Sequence, residues 1–521
     1  MKLLGVNHKV ILIIIPILLV LLGLIVFIVP PALFPDPSMG FHVLRSMQAG
    51  APFNVISSPD QSDISKNYHE FLTWWSPGQY LVPHLIARLF QLSLGKAIAI
   101  CVTLVNFIGL TGFYFFFKKI GFTAKVAAIS LMLIIAQQAF IIPYINYNGG
   151  ELLIFSFEGW FLFGCFSIKK FNLTSFLFLL LSGWIGFFLK SSFIWMYGAG
   201  LLSLWYHLSI DSKKMGIWLK NGVWIGIPAI ISLAVIQMVF LSKGQSPVTV
   251  STGLKLTLAT FSFPIAAPLL SFFSVDELLN GLIFHTGKPI LEAMPSLIIL
   301  IFFTLLSLVI IRQIISKSLN KTYSNTLLIF YVVAILFFGI AYLRQLNVSM
   351  EARHFRILGI LIIPGIVYYF NNLKKIYAYL FSLILVVIFA LNCNYLIKGF
   401  EYNKECARGI TGIAQPNIDQ PTLNKLMKLD AENTNAIFVF VNTDIGLEIN
   451  HNRVITLPTI DDNLRIDSED YTYEGHAGPL YILLPANYQG PKETMIMKSF
   501  PGYKGFDINP LGEKYTLYMA K

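Results

Sequence analysis

The chain has 521 residues, of which 55% are hydrophobic and only 12% charged, with 44 Phe and a formal net charge of +11. A soluble globular chain carries about 25% charged residues, so this composition excludes an ordinary water-soluble fold and places most of the chain in lipid, where helices satisfy their own backbone. The positive charge falls in short clusters between apolar runs, which excludes a nucleic-acid-binding surface and reads as membrane orientation.

In chain order, the first apolar run, Val10 to Val29, is long for a signal-peptide core and has no A-x-A cleavage site, so it is expected to stay as an anchor. Further spans are expected near 96–117, 122–142, 151–168, 172–189, 193–209, 218–241, 291–311, 326–343, 355–370 and 376–397, about eleven transmembrane helices in all. With the N-terminus inside, the segments on the cytoplasmic face carry Lys118, Lys119 and Lys125, then Lys169 and Lys170, then Lys213, Lys214 and Lys220, then Arg312, Lys317 and Lys321, and finally Lys374 and Lys375. Each has the basic cluster that the positive-inside bias requires, and an odd count puts the C-terminus outside. Cys101, Cys165, Cys393 and Cys406 lie in or just after apolar runs with no CxxC spacing, which points to neither a metal site nor disulfides.

Three outer pieces are expected: a loop over 30–95, a second over 242–289, and a tail over 399–521. In the first loop, Asp36-Pro37-Ser38 reads as a helix start with Asp36 at the N-cap and Pro37 at the first helical position, followed by Met39, Val43 and Met47 at helical spacing. A second helix opens at Ser76-Pro77-Gly78-Gln79, a capping-box pattern with Pro at its first position and Trp74 and Trp75 before it, and both helices are expected to lie along the membrane surface. The tail is polar and turn-rich, with β-like runs at Ala436 to Asn442, Arg453 to Leu457, Pro479 to Pro485 and Tyr515 to Ala520 and a helix near Thr422 to Leu429. It reads as a small α/β domain, a lid or acceptor-recognition module, beside a transmembrane domain over 1–398.

Several polar residues stand where chemistry is possible. Asp36 serves either as a cap or as a base. Glu151 and Glu158, seven apart, share one face of the fourth span, with Glu151 at the outer mouth after Tyr147-Asn148-Gly149-Gly150 and Glu158 about 10 Å deeper. An intramembrane carboxylate is costly, so it is functional or paired. Lys190, at an outer span end, either snorkels or meets an anion. Arg344, Arg353, His354 and Arg356 cluster around a short outer loop, against the bias for cytoplasmic charge, with Glu351 an alternative partner for Arg356. His42, His84, His285 and Lys288 read as surface or cap residues. Asp60, Asp63 and Glu70 either bind a divalent ion or are solvated.

A long first outer loop with two surface helices, Asp36 just after the first span, and the W-x-P-x-x-Y pattern of Trp75, Pro77 and Tyr80 resembles the GT-C glycosyltransferases, more narrowly the protein O-mannosyltransferase and aminoarabinose transferase branch. The likeness covers roughly the first 210 residues plus the topology, and a second point is Met350 to Arg356 leading into an apolar run with Pro364. Where that family often has a second acid, this chain has Pro37, which leaves Asp36 as sole candidate base there. The resemblance implies a polytopic α-helical, GT-C-like membrane enzyme of the bacterial inner membrane. It would transfer a sugar from a polyprenyl-phosphate donor to a lipid, glycan or protein acceptor on the outer face, inverting the anomeric centre. For that reaction the candidates are Asp36, at the family's position, and Glu151 for catalysis, with Glu151 alternatively an acceptor contact; Arg353, Lys190, Arg344, His354 and Arg356 for donor phosphate; and Glu158, Tyr147, Asn148 and His42 for acceptor contacts. The resemblance names no definite cofactor, and a divalent metal is compatible. The competing readings are an O-antigen polymerase or ligase, whose large outer loop comes late in the chain, and a transporter, which would show paired inverted halves.

Overall fold

Asn7 caps α1 (His8–Ile28) by accepting from the Lys9 amide at 3.0 Å, and the helix runs apolar to its last residue. The structure, a computed structural model, describes residues 7–244, 251, 253–283, 289–318, 320–371, 375–457, 472–488 and 490–521. His285, Lys288 and Lys374 lie outside them.

After α1 come β1 (Ala32–Leu33), α2 (Pro35–Gln48), the hairpin β2 (Val55–Pro59) and β3 (Asn67–Phe71), and α3 (Gly78–Phe90). Then follow α4 (Leu94–Lys119), α5 (Ala124–Ile135), α6 (Gln138–Ile145), β4 (Asn146–Tyr147), α7 (Gly150–Cys165), α8 (Leu173–Leu189), α9 (Phe193–Ser209) and α10 (Met215–Val239). The bundle is completed by α11 (Leu258–Phe273), α12 (Asn280–Ile283), α13 (Ala293–Lys317), α14 (Lys321–Leu343), α15 (Arg356–Asn371) and α16 (Lys375–Glu405). Among the described residues seven helices are long and apolar enough to cross a membrane, or eight if the pair α5 and α6, bent by 48°, counts as one span. All eleven expected spans fall on a helix or on that pair. Yet α7, α8 and α9 have 16, 17 and 17 residues, short of the about 20 that a perpendicular crossing needs. The bend between α5 and α6 frees backbone groups, and a side chain of another helix meets one of them: Asn392 of α16 donates to the Ala136 carbonyl at 2.6 Å.

The segment 242–289, expected as a loop, holds α11, an apolar helix buried between α13, α14 and α15. Hydroxyls of those neighbours reach its carbonyls: Tyr331 donates to Ile265 at 2.8 Å and Thr304 to Ser262 at 3.1 Å. Pro264 and Pro268 four residues apart disguise the helix in the sequence. Glycine lets α4 and α7 approach closely. A Cβ at Gly159 would stand 2.5 Å from the Phe113 nitrogen, and one at Gly109 would stand 2.5 Å from the Phe155 ring.

Beyond α16, which continues past the expected boundary at 398 as far as Glu405, lies a five-stranded sheet. Its elements are α17 (Gln420–Glu432), β5 (Ile437–Phe440), β6 (Arg453–Thr456), β7 (Leu480–Pro485), α18 (Pro491–Lys498), β8 (Asp507–Leu511) and β9 (Tyr515–Ala520), in the order β6-β5-β7-β9-β8. β5 is parallel to both neighbours, and β9 is antiparallel to β7 and β8. The four β-like runs of the sequence are strands. β8, whose alternation is broken by Pro510, was not expected.

This sheet is tied to α2. His42 donates Nε2–H to the Thr443 carbonyl at 2.6 Å, and Arg45 donates to the Gly446 carbonyl at 3.3 Å and to the Asn452 carbonyl. Burial pushes His42 down to about 4 and Arg45 down to about 10. Arg408, just past α16, closes the far side by donating to the carbonyls of Pro30, Gly412 and Asn403.

Candidate active site

Two residues of pairing decide where the first carboxylate goes. β1 runs parallel to β4 with Leu33 opposite Tyr147, and the Phe34 amide donates to the Tyr147 carbonyl at 3.1 Å. α2 therefore starts beside the residues that lead into α7, which brings Asp36 near Glu151. α2 begins at Pro35, so its N-cap is Phe34 and Asp36 is the second helical residue. This corrects the expected cap. Pro35 takes the first position itself, where its fixed φ suits a helix and its missing N–H costs nothing. Among the described residues no backbone amide is bonded to the Asp36 carboxylate. The expected capping box at Ser76 is likewise absent, because Ser76 donates instead to the Phe187 carbonyl at 2.8 Å.

Asp36 faces Arg353, with Oδ2 at 3.1 Å from Nη1. The same guanidinium stands 3.4 Å from Glu151 Oε1 and forms an ion pair with Glu351. Glu151 Oε1 in turn meets Lys190 Nζ at 2.5 Å. The cluster thus joins the first turn of α2, the first turn of α7, the residue that ends α8, and the 3-10 turn before α15. It is graded in exposure: side-chain exposure is 35% for Asp36 and 29% for Arg353, against 14% for Lys190 and 6% for Glu151. Asp36 is the most exposed member, and Glu151, the most buried, contacts both cations.

One further residue fixes the turn that carries Arg353, and another packs the helices around the cluster. Asp276 accepts from the Ala352 amide at 2.8 Å, and burial pushes its carboxyl up. Gln79 of α3 is wedged between α2 and α7, where a Cβ at Gly149 would stand 2.8 Å from Gln79 Oε1 and 3.0 Å from the Pro37 ring. Gly149 holds φ +57, which its lack of a side chain permits. Sequence reading named Glu351 only as a partner for Arg356 and missed Asp276 and Gln79. An acid at the end of a buried apolar helix was the available signal for Asp276.

The other candidates separate into three groups. His354 and Arg356 lie just below the cluster. His354 pairs with the Ser349 hydroxyl at 3.1 Å, and the Arg356 guanidinium sits 4.4 Å over the Phe155 ring. Arg356 therefore does not pair with Glu351, because Arg353 takes that acid and the start of α15 turns Arg356 inward. Among the described residues neither the guanidinium nitrogens of Arg356 nor Glu158 Oε1 has a hydrogen-bond partner. Tyr147 and Asn148 are structural neighbours: Tyr147 is buried and donates to the Gln79 carbonyl at 2.7 Å, and Asn148 is buried with its Oδ1 unpartnered among the described residues. His42 and Arg344 lie away from the cluster. His42 points to the C-terminal sheet, and Arg344 is exposed at the end of α14.

Asp60, Asp63 and Glu70 do not converge. Asp63 pairs with Lys66 at 2.9 Å, Asp60 accepts from Ser62 at 2.7 Å, and Glu70 is exposed on β3 opposite Ile56. Among the described residues no three His, Cys, Asp or Glu side chains are arranged to hold a metal ion.

No family model matches the chain, and no curated protein matches it. Solved structures do. The crystal structure of ArnT from Cupriavidus metallidurans bound to undecaprenyl phosphate is 11% identical, with a TM-score of 0.51 over 96% of this chain and 97% of that one. A mutant of the arabinofuranosyltransferase AftD from Mycobacteria is 11% identical, with a TM-score of 0.50 over 100% of this chain and 42% of that one. The likeness is one of fold: this chain has the GT-C glycosyltransferase fold and is a polytopic membrane protein.

Proposed function

We propose that this chain is a membrane glycosyltransferase that moves a sugar from a polyprenyl-phosphate donor to an acceptor hydroxyl at the α2 end of the bundle, on the outer face of the membrane. The observation that carries the reading is the convergence of Asp36, Glu151, Lys190 and Arg353 from four separate parts of the chain. A scaffold alone does not require two cations and two acids gathered at the end of a helix bundle. The fold supports the same class, and the structure of this fold from Cupriavidus metallidurans holds undecaprenyl phosphate.

The parts fit an inverting displacement. The acceptor oxygen attacks the anomeric carbon from the face opposite the phosphate, and its proton passes to the Asp36 carboxylate. The bond from the anomeric carbon to the phosphate oxygen breaks, and its electron pair leaves with the polyprenyl phosphate. Arg353 and Lys190 take up that charge; the guanidinium fork suits a phosphate. Glu151 and Glu351 keep Arg353 in place when Asp36 accepts the proton. His354 and Arg356 line the floor. The C-terminal sheet, bonded to α2 through His42 and Arg45, holds the helix that carries the base and stands where an acceptor would approach.

The test is turnover and lipid binding by the purified protein. Undecaprenyl phosphate should bind to wild type, and Arg353→Ala should lose that binding. A labelled polyprenyl-phosphate sugar should be consumed by wild type and not by Asp36→Asn. Solute flux in proteoliposomes, with no binding of undecaprenyl phosphate, would favour the transporter reading instead.

A further inference from the structure

At the end of the bundle away from Asp36 lies a cavity of about 340 Å³ between the C-terminal end of α9 and the N-terminal end of α14, lined also by Phe166 just past α7. Along α9 it is separated from Lys190 by roughly 25 Å of helix rise. Away from the cavity the two helices pack where Trp195, at the start of α9, meets Phe330 and Phe338 of α14. Its walls carry opposite charges. Asp211 stands on the α9 side and Lys321 on the α14 side, and among the described residues neither forms an ion pair. The hydroxyl of Tyr206 and the amide of Asn325 also line it, and neither has a hydrogen-bond partner among the described residues. The first amides of α14 are already taken by the Asn320 side chain, so an anion here would rest on side chains.

A cation and a carboxylate that face one cavity without touching are complementary to a ligand that carries both charges. The surroundings say where such a ligand comes from. Ile210, just past α9, lines the cavity and is 45% exposed, and Leu202 and Leu328, each one position before the lining residues Ser203 and Ile329, are 42% exposed, apolar surface that water would not favour and acyl chains would. We propose that this cavity seats the headgroup of a zwitterionic phospholipid, its phosphate against Lys321 and Asn325 and its ammonium against Asp211 and Tyr206. The site is independent of the sugar-transfer reading and lies at the opposite membrane surface.

The experiment uses the full-length, delipidated protein in detergent. Phosphatidylethanolamine and phosphatidylglycerol are added separately, bound lipid is counted by native mass spectrometry, and hydrogen exchange is followed over 203–211 and 320–329. Wild type should retain phosphatidylethanolamine about tenfold better than phosphatidylglycerol, the worth of one charge-assisted hydrogen bond, and should show protection in both segments. Asp211→Asn should remove the preference, Lys321→Gln should weaken both lipids, and Asp211→Glu and Lys321→Arg should restore wild-type behaviour. Protection by water-soluble phosphoethanolamine at the same concentration would identify a free phosphoester as the ligand in place of a lipid. Absence of protection by either ligand, or equal retention by wild type and both charge-removing variants, would overturn the assignment. Both residues are exposed at the rim, so the variants test binding and not folding.

Discussion

Asp36→Asn and Glu151→Gln change one oxygen each and should fail in opposite ways. Asp36 is 35% exposed and meets a single cation at 3.1 Å, the geometry of a surface pair, so losing its charge should cost no more than about 1 kcal/mol of stability. Glu151 is 6% exposed and sits between Lys190 at 2.5 Å and Arg353 at 3.4 Å. Removing one partner of a buried pair costs about 3–5 kcal/mol, and the low end applies here because Lys190 keeps 14% exposure to water. On turnover the order reverses. A missing general base costs about 10²–10⁴ in rate, or roughly 3–5 kcal/mol of barrier. The assay pairs thermal unfolding in detergent with consumption of a labelled polyprenyl-phosphate sugar per folded molecule. Asp36→Asn should melt near wild type and turn over poorly, and Glu151→Gln should melt well below wild type. Wild-type turnover by Asp36→Asn, or equal loss of stability in the two variants, would refute the division of roles.

Arg353→Lys should retain the fold but bind undecaprenyl phosphate about tenfold more weakly, because a point charge replaces a planar fork that contacts several acids; a lipid-binding titration measures this. Two buried groups at the contact between α2 and the C-terminal sheet titrate with opposite sign. His42 is held at about 4, so its contribution is present above its unfolded value of about 6.5 and is lost as pH falls toward 4, by about 3 kcal/mol. Asp444 is pushed up to about 6 by burial, so it gains stability as pH falls from 6 toward its unfolded value near 3.8, also by about 3 kcal/mol. Limited proteolysis of the tail against pH should therefore be nearly flat in wild type, acid-sensitive in Asp444→Asn and acid-stabilised in His42→Gln. Gly159→Ala should lower the melting temperature through a cost of about 1–3 kcal/mol, because the new methyl meets the backbone of α4, which has little room to shift.

Much of the fold was legible because lipid enforces a simple rule. Apolar runs of about 20 residues must be helices, and all eleven expected spans coincide with helical segments. The strands at Ile437–Phe440, Arg453–Thr456, Leu480–Pro485 and Tyr515–Ala520 were legible from apolar runs between turn residues. α11 was not, since its two prolines interrupt the periodicity that marks a helix and its burial depends on α13, α14 and α15. Nor was the bend between α5 and α6, which only Asn392 and the packing around it make tolerable.

The candidate site divides the same way. The kinds of residue were readable: acids at the membrane surface and basic residues on the side where the bias disfavours them. Which residue meets which was not. Local pattern placed Asp36 at a helix cap, and tertiary pairing of Leu33 with Tyr147 placed it against Arg353, 317 positions away in the chain. Glu351 pairs with Arg353 and not Arg356 because the 3-10 turn before α15 directs one arginine outward and the next one inward over Phe155. Composition and hydropathy by themselves determine that this chain is a helical membrane protein, since the cost of burying polar groups in lipid acts on every residue independently of its partners. The ion-pair network at its surface was decided only by the tertiary structure, since a charge is neutralised by whatever the fold brings within about 4 Å of it and sequence distance carries no record of that.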